Sequence, residues 1–187
     1  MPIVTTEFPG LLIYEPKVFA DNRGYFFESY NERVFTEAGI DMHFVQDNQA
    51  RSTYGIIRGL HYQMAPYAQT KLVRVLHGEI LDAVVDLRKR SPTYGKAYTI
   101  ILSGENKKQF LVPKGFAHGY AVLSAEAEVM YKCDEYYNKE SEGGILWSDA
   151  DLQIDWRIPA GKVIVSEKDK MLPPLTKSHS NFEFIDR

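Results

Sequence analysis

The fold is decided by the stretch Lys71-Leu72-Val73-Arg74-Val75-Leu76, then His77-Gly78-Glu79, then Ile80-Leu81-Asp82-Ala83-Val84-Val85-Asp86-Leu87. In the last run every second side chain is apolar, on the face formed by Leu81, Ala83, Val85 and Leu87. Asp82 and Asp86 point the other way. This period-two alternation is typical of a β-strand, and Gly78 marks a turn. The stretch therefore predicts two consecutive strands joined as a hairpin.

Short strands are predicted along most of the remaining chain, each ended by a turn signal. Further runs cover 98–102, 109–112, 116–123 and 127–133. Only one short helix is indicated, at about 31–38, with Asn31 as its N-cap and Gly39 as its stop. Its apolar stripe consists of Val34, Phe35 and Ala38. Many short strands without a long helix predict an all-β protein, either a β-sandwich or a jelly roll.

One domain is predicted for the whole chain, 1–187, because this length suits a single core. We expect the jelly-roll core at about 40–135. The N-terminal segment 1–39 and the less regular C-terminal strap 136–187 are expected to pack on that core.

Composition excludes several classes of function. The formal net charge of −3 argues against a nucleic-acid surface, which needs a basic field. No apolar run approaches the roughly 20 residues of a membrane span, and no secretory signal is visible. The cytoplasm is therefore the expected compartment. The single cysteine, Cys133, excludes an intrachain disulfide framework and is expected to be a buried apolar side chain on a strand.

Two histidines have informative surroundings. His61 lies in Arg58-Gly59-Leu60-His61-Tyr62-Gln63, and His118 follows Gly115-Phe116-Ala117. Alternation places His118 on the same face as Phe116 and Tyr120, pointing into the barrel. A metal centre usually adds further His, Cys or carboxylate ligands close by, and neither histidine has another histidine two or four residues away. We therefore predict a metal-free site.

Eight short motifs follow one another in a characteristic order. They are Asp21-Asn22-Arg23-Gly24-Tyr25-Phe26-Phe27-Glu28, Phe44-Val45-Gln46-Asp47-Asn48, the His61 segment, Lys71-Leu72-Val73-Arg74-Val75, Val112-Pro113-Lys114-Gly115-Phe116-Ala117-His118-Gly119, Tyr131-Lys132-Cys133, Glu142-Gly143-Gly144-Ile145 and Ser166-Glu167-Lys168-Asp169. Over nearly the whole chain this series resembles the dTDP-4-dehydrorhamnose 3,5-epimerase family of cupin-fold enzymes.

The resemblance implies a reaction that moves protons beside a ketone. The family's substrate is dTDP-4-keto-6-deoxyglucose, which is epimerised at C3 and C5 without a cofactor. His61 matches the family's base and Asp169 the carboxylate that orients it. Lys71 matches the cation near the O4 oxygen, and Tyr131 matches the acid on the far face of the sugar.

The resemblance also implies the residues that bind the substrate. Arg58, Arg23 and Lys168 suit the pyrophosphate, and Tyr137 would stack on thymine. Further contacts are implied for Phe26, Glu28, Gln46, Asn48, His118 and Glu142. In this family the N-terminal segment with Arg23, Phe26 and Glu28 reaches into the partner's site, so a homodimer is implied.

One geometric conflict yields a prediction. Strict alternation would place Arg58 and His61 on opposite faces of one strand, although the resemblance needs both in one cavity. Gly59 is predicted to mark a bulge that turns one of them around.

Three alternatives stay open at this point. A sister enzyme could epimerise only C3 or only C5, or isomerise a ketosugar. A metal-dependent cupin oxygenase is disfavoured because the sequence lacks a ligand cluster. A catalytically inactive module that only binds a sugar nucleotide is disfavoured, because such a protein needs no acid and base on opposite faces of the sugar.

Overall fold

The computed structural model describes residues 3–185, which form an all-β protein. In chain order the strands are β1 (Ile3–Thr5), β2 (Leu12–Tyr14), β3 (Phe19–Asp21), β4 (Gly24–Phe26), β5 (Gln46–Thr53), β6 (Ile57–Gln63), β7 (Lys71–His77), β8 (Glu79–Asp86), β9 (Ala97–Ser103), β10 (Gln109–Val112), β11 (Phe116–Val122), β12 (Glu126–Cys133) and β13 (Glu142–Gly144). The two helices are α1 (Glu32–Glu37) and α2 (Glu167–Lys170).

Two antiparallel sheets face each other. The six-stranded sheet has the order β1-β2-β10-β7-β12-β5, and the five-stranded sheet has the order β13-β6-β11-β8-β9. Strands β3 and β4 form a separate small hairpin. The prediction of an all-β jelly-roll sandwich is confirmed.

The predicted hairpin over 71–87 is wrong in its pairing, although both strands exist. β7 belongs to the six-stranded sheet and β8 to the five-stranded sheet. The turn at Gly78 therefore carries the chain from one sheet to the other. Gly78 has a φ of +76°, and a Cβ there would lie 2.1 Å from the carbonyl oxygen of Glu126. Alternation reveals a strand's faces but not its partner, which is why the sequence favoured the simpler hairpin.

The main core fills the space between the two sheets. Val73, Val84 and Phe110 meet there and are fully buried. The opposite face of β8 is covered as well, since Leu81 and Val85 pack against side chains of the C-terminal strap such as Trp156 and Phe182. Burial on both faces explains why Asp82 and Asp86, which share β8, are inaccessible to solvent.

The helix predicted at about 31–38 is confirmed as α1. Asn31 Oδ1 accepts a hydrogen bond from the backbone N–H of Arg33, the expected role of an N-cap. Phe35 is buried, and Val34 and Ala38 pack against the same small cluster. Gly39, with a φ of +79°, follows the helix end.

Both flanks of the proposed core contribute strands to the sheets. β1 and β2 extend the six-stranded sheet, and β13 forms an edge of the five-stranded sheet. The segment 150–177 continues as short 3₁₀ turns and α2. The division of chain 1–187 into core and flanks stays a proposal, with residues 1–2 and 186–187 outside the described part. No helix within 3–185 is long and apolar enough to cross a membrane.

Candidate active site

A cavity of about 480 Å³ lies between the two sheets. It brings together six of the residues that the sequence singled out: Arg58, His61, Lys71, His118, Tyr131 and Asp169. β6 and β11 supply one wall, β7 and β12 the facing wall, and α2 closes one side. Residues far apart in the chain therefore share one space.

The predicted bulge at Gly59 is confirmed. β6 and β11 pair His61 with His118 and Arg58 with Tyr120, so that β6 has one extra residue between the pairs. Both Arg58 and His61 consequently line the cavity. The strands approach closely here, since a Cβ on Gly59 would lie 2.6 Å from the Cα of Gly119. Only glycine fits at this crossing.

His61 is held by a buried carboxylate. Its Nε2 lies 2.7 Å from Asp169 Oδ1, and Asp169 Oδ2 accepts a hydrogen bond of 3.2 Å from the backbone N–H of Gly59. Burial alone would raise the pKa of Asp169, but the hydrogen bonds from His61, Gly59 and Ser166 outweigh burial and lower it. An ionised Asp169 fixes the proton on Nε2, which leaves Nδ1 as the basic nitrogen.

Lys71 and Tyr131 stand together on the wall opposite His61. The Lys71 Nζ atom lies 5.6 Å from the centre of the Tyr131 ring. Burial lowers the pKa of Lys71, although the nearby Cys133 and Asp82 act to raise it. Burial also raises the pKa of Tyr131 to about 12, and Cys133 and Tyr120 add to that rise. At neutral pH the Tyr131 phenol on this wall is therefore protonated.

A second histidine–carboxylate pair reaches the cavity through His118, and its acid, Asp82, was not among the predicted site residues. His118 Nε2 lies 2.9 and 3.0 Å from the two carboxylate oxygens of Asp82, and both residues are buried. Burial raises the pKa of Asp82, opposed by His118 and Lys71. The available signal was an acidic residue in the interior of β8, with Leu81 and Ala83 on either side of it.

Arg58 lies at the cavity mouth with an exposed side chain. Its Nε donates a hydrogen bond of 3.0 Å to the buried hydroxyl of Ser52. This anchor leaves the terminal nitrogens of the guanidinium group available to an anion.

Five other predicted binding residues form a polar rim beside the cavity. Lys168 Nζ lies 2.6 Å from Glu142 Oε2, and both line a neighbouring pocket that also reaches His61. On the other side, Gln46 accepts from the backbone N–H of Tyr137 and donates to Asn48 Oδ1. The Tyr137 side chain is exposed, as a ring that stacks on a ligand must be.

Three predicted binding residues do not reach the cavity of their own chain. Arg23 sits in the turn between β3 and β4 and pairs with Asp21 at 2.5 Å. Phe26 is exposed, and Glu28 accepts a hydrogen bond from Asn31 beside α1. Within one chain these three residues therefore lie outside the cavity that holds His61.

Within residues 3–185 no group of three or more His, Cys, Asp or Glu side chains could hold a metal ion. Cys133 is buried on β12, and burial raises the pKa of its thiol to about 11.

Comparison with known proteins decides the family. The family model for dTDP-4-dehydrorhamnose 3,5-epimerase matches residues 5–177. A dTDP-4-dehydrorhamnose 3,5-epimerase from Shigella flexneri is 54% identical over 170 residues, covering 90% of this chain and 93% of that protein. The chain belongs to the dTDP-4-dehydrorhamnose 3,5-epimerase family. The resemblance noted from the eight motifs is thereby confirmed.

Solved structures of this epimerase family have the same fold. The enzyme from Elizabethkingia anophelis is 52% identical with a TM-score of 0.91, covering 95% of this chain and 98% of that chain. A dTDP-6-deoxy-D-glucose-3,5-epimerase from Legionella pneumophila is 49% identical with a TM-score of 0.89, covering 94% and 93%. That protein was crystallised in complex with dTDP-4-keto-L-rhamnose.

Proposed function

We propose that this protein epimerises dTDP-4-keto-6-deoxyglucose at C3 and C5 and releases dTDP-4-keto-L-rhamnose. The observation that carries the proposal is the placement of an oriented base and a protonated phenol on facing walls of one cavity. Family membership and the product bound to the Legionella pneumophila relative give the substrate class.

Each epimerisation needs one proton removed from a carbon and one returned to its opposite face. His61 takes the proton from the carbon beside the C4 ketone, and the electron pair of that C–H bond moves to O4. The ammonium group of Lys71 holds the resulting enolate oxygen, an interaction whose loss typically costs about 10²–10³ in rate. Tyr131 then gives its phenolic proton to the other face. As the carbon takes this proton, the electron pair returns to it from O4 and the ketone re-forms. His61 then passes its proton to solvent and Tyr131 regains one from solvent, so the same sequence serves C5 and C3 with no change of oxidation state.

Binding is assigned to the basic and polar residues around the cavity. Arg58 and Lys168 face the pyrophosphate, because cations pair strongly with phosphate oxygens. Tyr137 stacks on the thymine, while Gln46, Asn48, Glu142 and His118 contact the nucleoside and sugar. We further propose a homodimer in which Arg23, Phe26 and Glu28 of each chain complete the site of the other. The cytoplasm stays the expected compartment.

Proton exchange in D₂O tests the proposed function directly. The protein is incubated with dTDP-4-keto-6-deoxyglucose and the C3 and C5 protons are followed by NMR. Deuterium at both carbons together with epimerised product is the expected result. Deuterium at a single carbon would instead identify a single-position epimerase. No incorporation by the folded protein would sink the assignment.

Two variants separate the base from the acid. His61→Ala should abolish exchange at both carbons, whereas His43→Ala, which changes an exposed histidine outside the cavity, should leave it intact. Tyr131→Phe should retain exchange through His61 yet lose most epimerised product. Normal exchange in His61→Ala would show that another residue is the base.

A further inference from the structure

Tyr120 is a cavity residue with an unused hydroxyl group. It lies on β11, paired with Asp82 of β8 on one side and with Arg58 of β6 on the other. Its side chain is 4% exposed and lines the cavity. Among residues 3–185, the Tyr120 hydroxyl oxygen is the one buried side-chain nitrogen or oxygen atom without a hydrogen-bond partner.

The neighbours of this hydroxyl are engaged elsewhere. Ser52 accepts from Arg58 Nε at 3.0 Å, and the carboxylate of Asp82 faces His118 Nε2. Burial raises the pKa of the Tyr120 phenol, so it keeps its proton. Arg58 and a weak polar interaction with Ser52 oppose this shift and Asp82 adds to it, but the Ser52 interaction does not reach hydrogen-bond geometry. An unpaired buried hydroxyl is unfavourable and uncommon in folded proteins. A phenylalanine would fill the same space without that cost.

The residue that needs further stabilisation in the proposed reaction is Tyr131. After Tyr131 gives up its proton, it carries a negative charge in a buried environment that disfavours charge. Tyr131 packs against the core cluster that contains Tyr120, and the two residues line the same cavity from facing sheets. Tyr120 thus holds a donor without an acceptor, and it faces the same cavity as a group that becomes an acceptor during the reaction.

We propose that Tyr120 is a positioning residue that donates a hydrogen bond to the Tyr131 oxygen once that phenol has passed its proton to the sugar. The inference rests on the proposed function of Tyr131 as the acid. Tyr120 gives up no proton; it stabilises the phenolate until a proton returns. The hydroxyl therefore acts in the protonation step and not in proton removal by His61.

Tyr120→Phe tests this role because it deletes only the oxygen atom. We expect formation of epimerised product to fall roughly 10- to 100-fold, as for loss of a hydrogen bond to a charged group. The effect should lie in kcat with KM unchanged, and deuterium exchange through His61 should persist. The midpoint of thermal unfolding should be equal or higher, because an unpaired buried polar group has been removed. Tyr98→Phe, a partly buried tyrosine of the same core outside the cavity, serves as the matched control.

A double variant shows whether Tyr120 acts through Tyr131. Tyr120→Phe combined with Tyr131→Phe should be no slower than Tyr131→Phe alone, because the acceptor is already gone. Additive losses in the double variant would overturn the inference. So would any of three results for Tyr120→Phe alone: wild-type rates, a loss of exchange equal to the loss of product, or a lowered midpoint of unfolding. Failure of the proposed function is distinguishable, since the wild-type protein itself would then neither exchange nor epimerise.

Discussion

At the scale of single residues, burial acts oppositely on the two groups that share the wall facing His61. Desolvation disfavours the charged form of any side chain, so it lowers the pKa of Lys71 and raises that of Tyr131 to about 12. As the solution becomes alkaline, Lys71 therefore loses its proton before Tyr131 does. The basic limit of the proposed reaction belongs to the lysine.

This order predicts the alkaline limb of the pH profile. Activity should fall as the pH rises through the lowered pKa of Lys71, below the usual lysine value of about 10.4, because neutral Lys71 cannot hold the enolate oxygen. The Lys71→Arg variant keeps its positive charge at every accessible pH, so its activity should no longer fall at alkaline pH. It should be slower than the wild type near neutrality, because a guanidinium group does not replace an ammonium group in geometry. The measurement is kcat/KM for product formation against pH. An unchanged limb in Lys71→Arg would assign the titration to another group.

At the scale of elements, the β6 bulge is what gives the site its geometry. The extra residue brings Arg58 and His61 to one cavity, and the Gly59 N–H also helps to hold Asp169. A side chain at Gly59 would meet backbone atoms of β11, which cannot move aside as a flexible side chain can. The close contact between Gly59 and Gly119 therefore determines both how β6 packs beside β11 and where His61 is held.

Gly59→Ala should damage stability and exchange together. With a φ of +124° and a Cβ 2.8 Å from the carbonyl oxygen of His118, the variant should lose about 3 kcal/mol of unfolding free energy. Deuterium exchange should fall as well, because the His61–Asp169 pair is displaced. Gly161→Ala is the control, since no atom lies within 4 Å of its added Cβ. Urea unfolding compares the two, and equal stabilities would contradict the role given to the bulge.

At the scale of the whole molecule, the β3–β4 hairpin lies outside the cavity and exposes apolar rings. Phe19, Tyr25 and Phe26 are each more than half exposed. Clustered exposed apolar side chains are typical of an interaction surface. Arg23, at the tip of this hairpin, makes its only described ion pair with Asp21 of the same turn. These features support the proposed exchange of hairpins between two chains.

Mixing two inactive variants tests that exchange. Arg23→Ala and His61→Ala should each be nearly inactive alone. After refolding together they should recover about a quarter of wild-type activity, because half of randomly paired dimers are mixed and each has one intact site. Product formation before and after mixing is the measurement. No gain on mixing, with mixed dimers demonstrated, would place Arg23 outside the partner's site.

The sequence by itself determined much of this protein. Period-two alternation predicted the strands, and capping residues predicted α1. The bulge was predicted because strict alternation would place Arg58 and His61 on opposite faces of one strand. These features depend on local backbone geometry, which neighbouring residues control. The ordered motifs gave the family. They also nominated His61, Asp169, Lys71 and Tyr131 for the site.

Only the tertiary structure decided which surfaces meet. It placed β7 and β8 in different sheets, paired Asp82 with His118, and left the Tyr120 hydroxyl without a partner. It also brought Asp169 to 2.7 Å from His61 across more than a hundred residues of chain. Such contacts depend on how two sheets pack and how much solvent they exclude, and no local pattern encodes either.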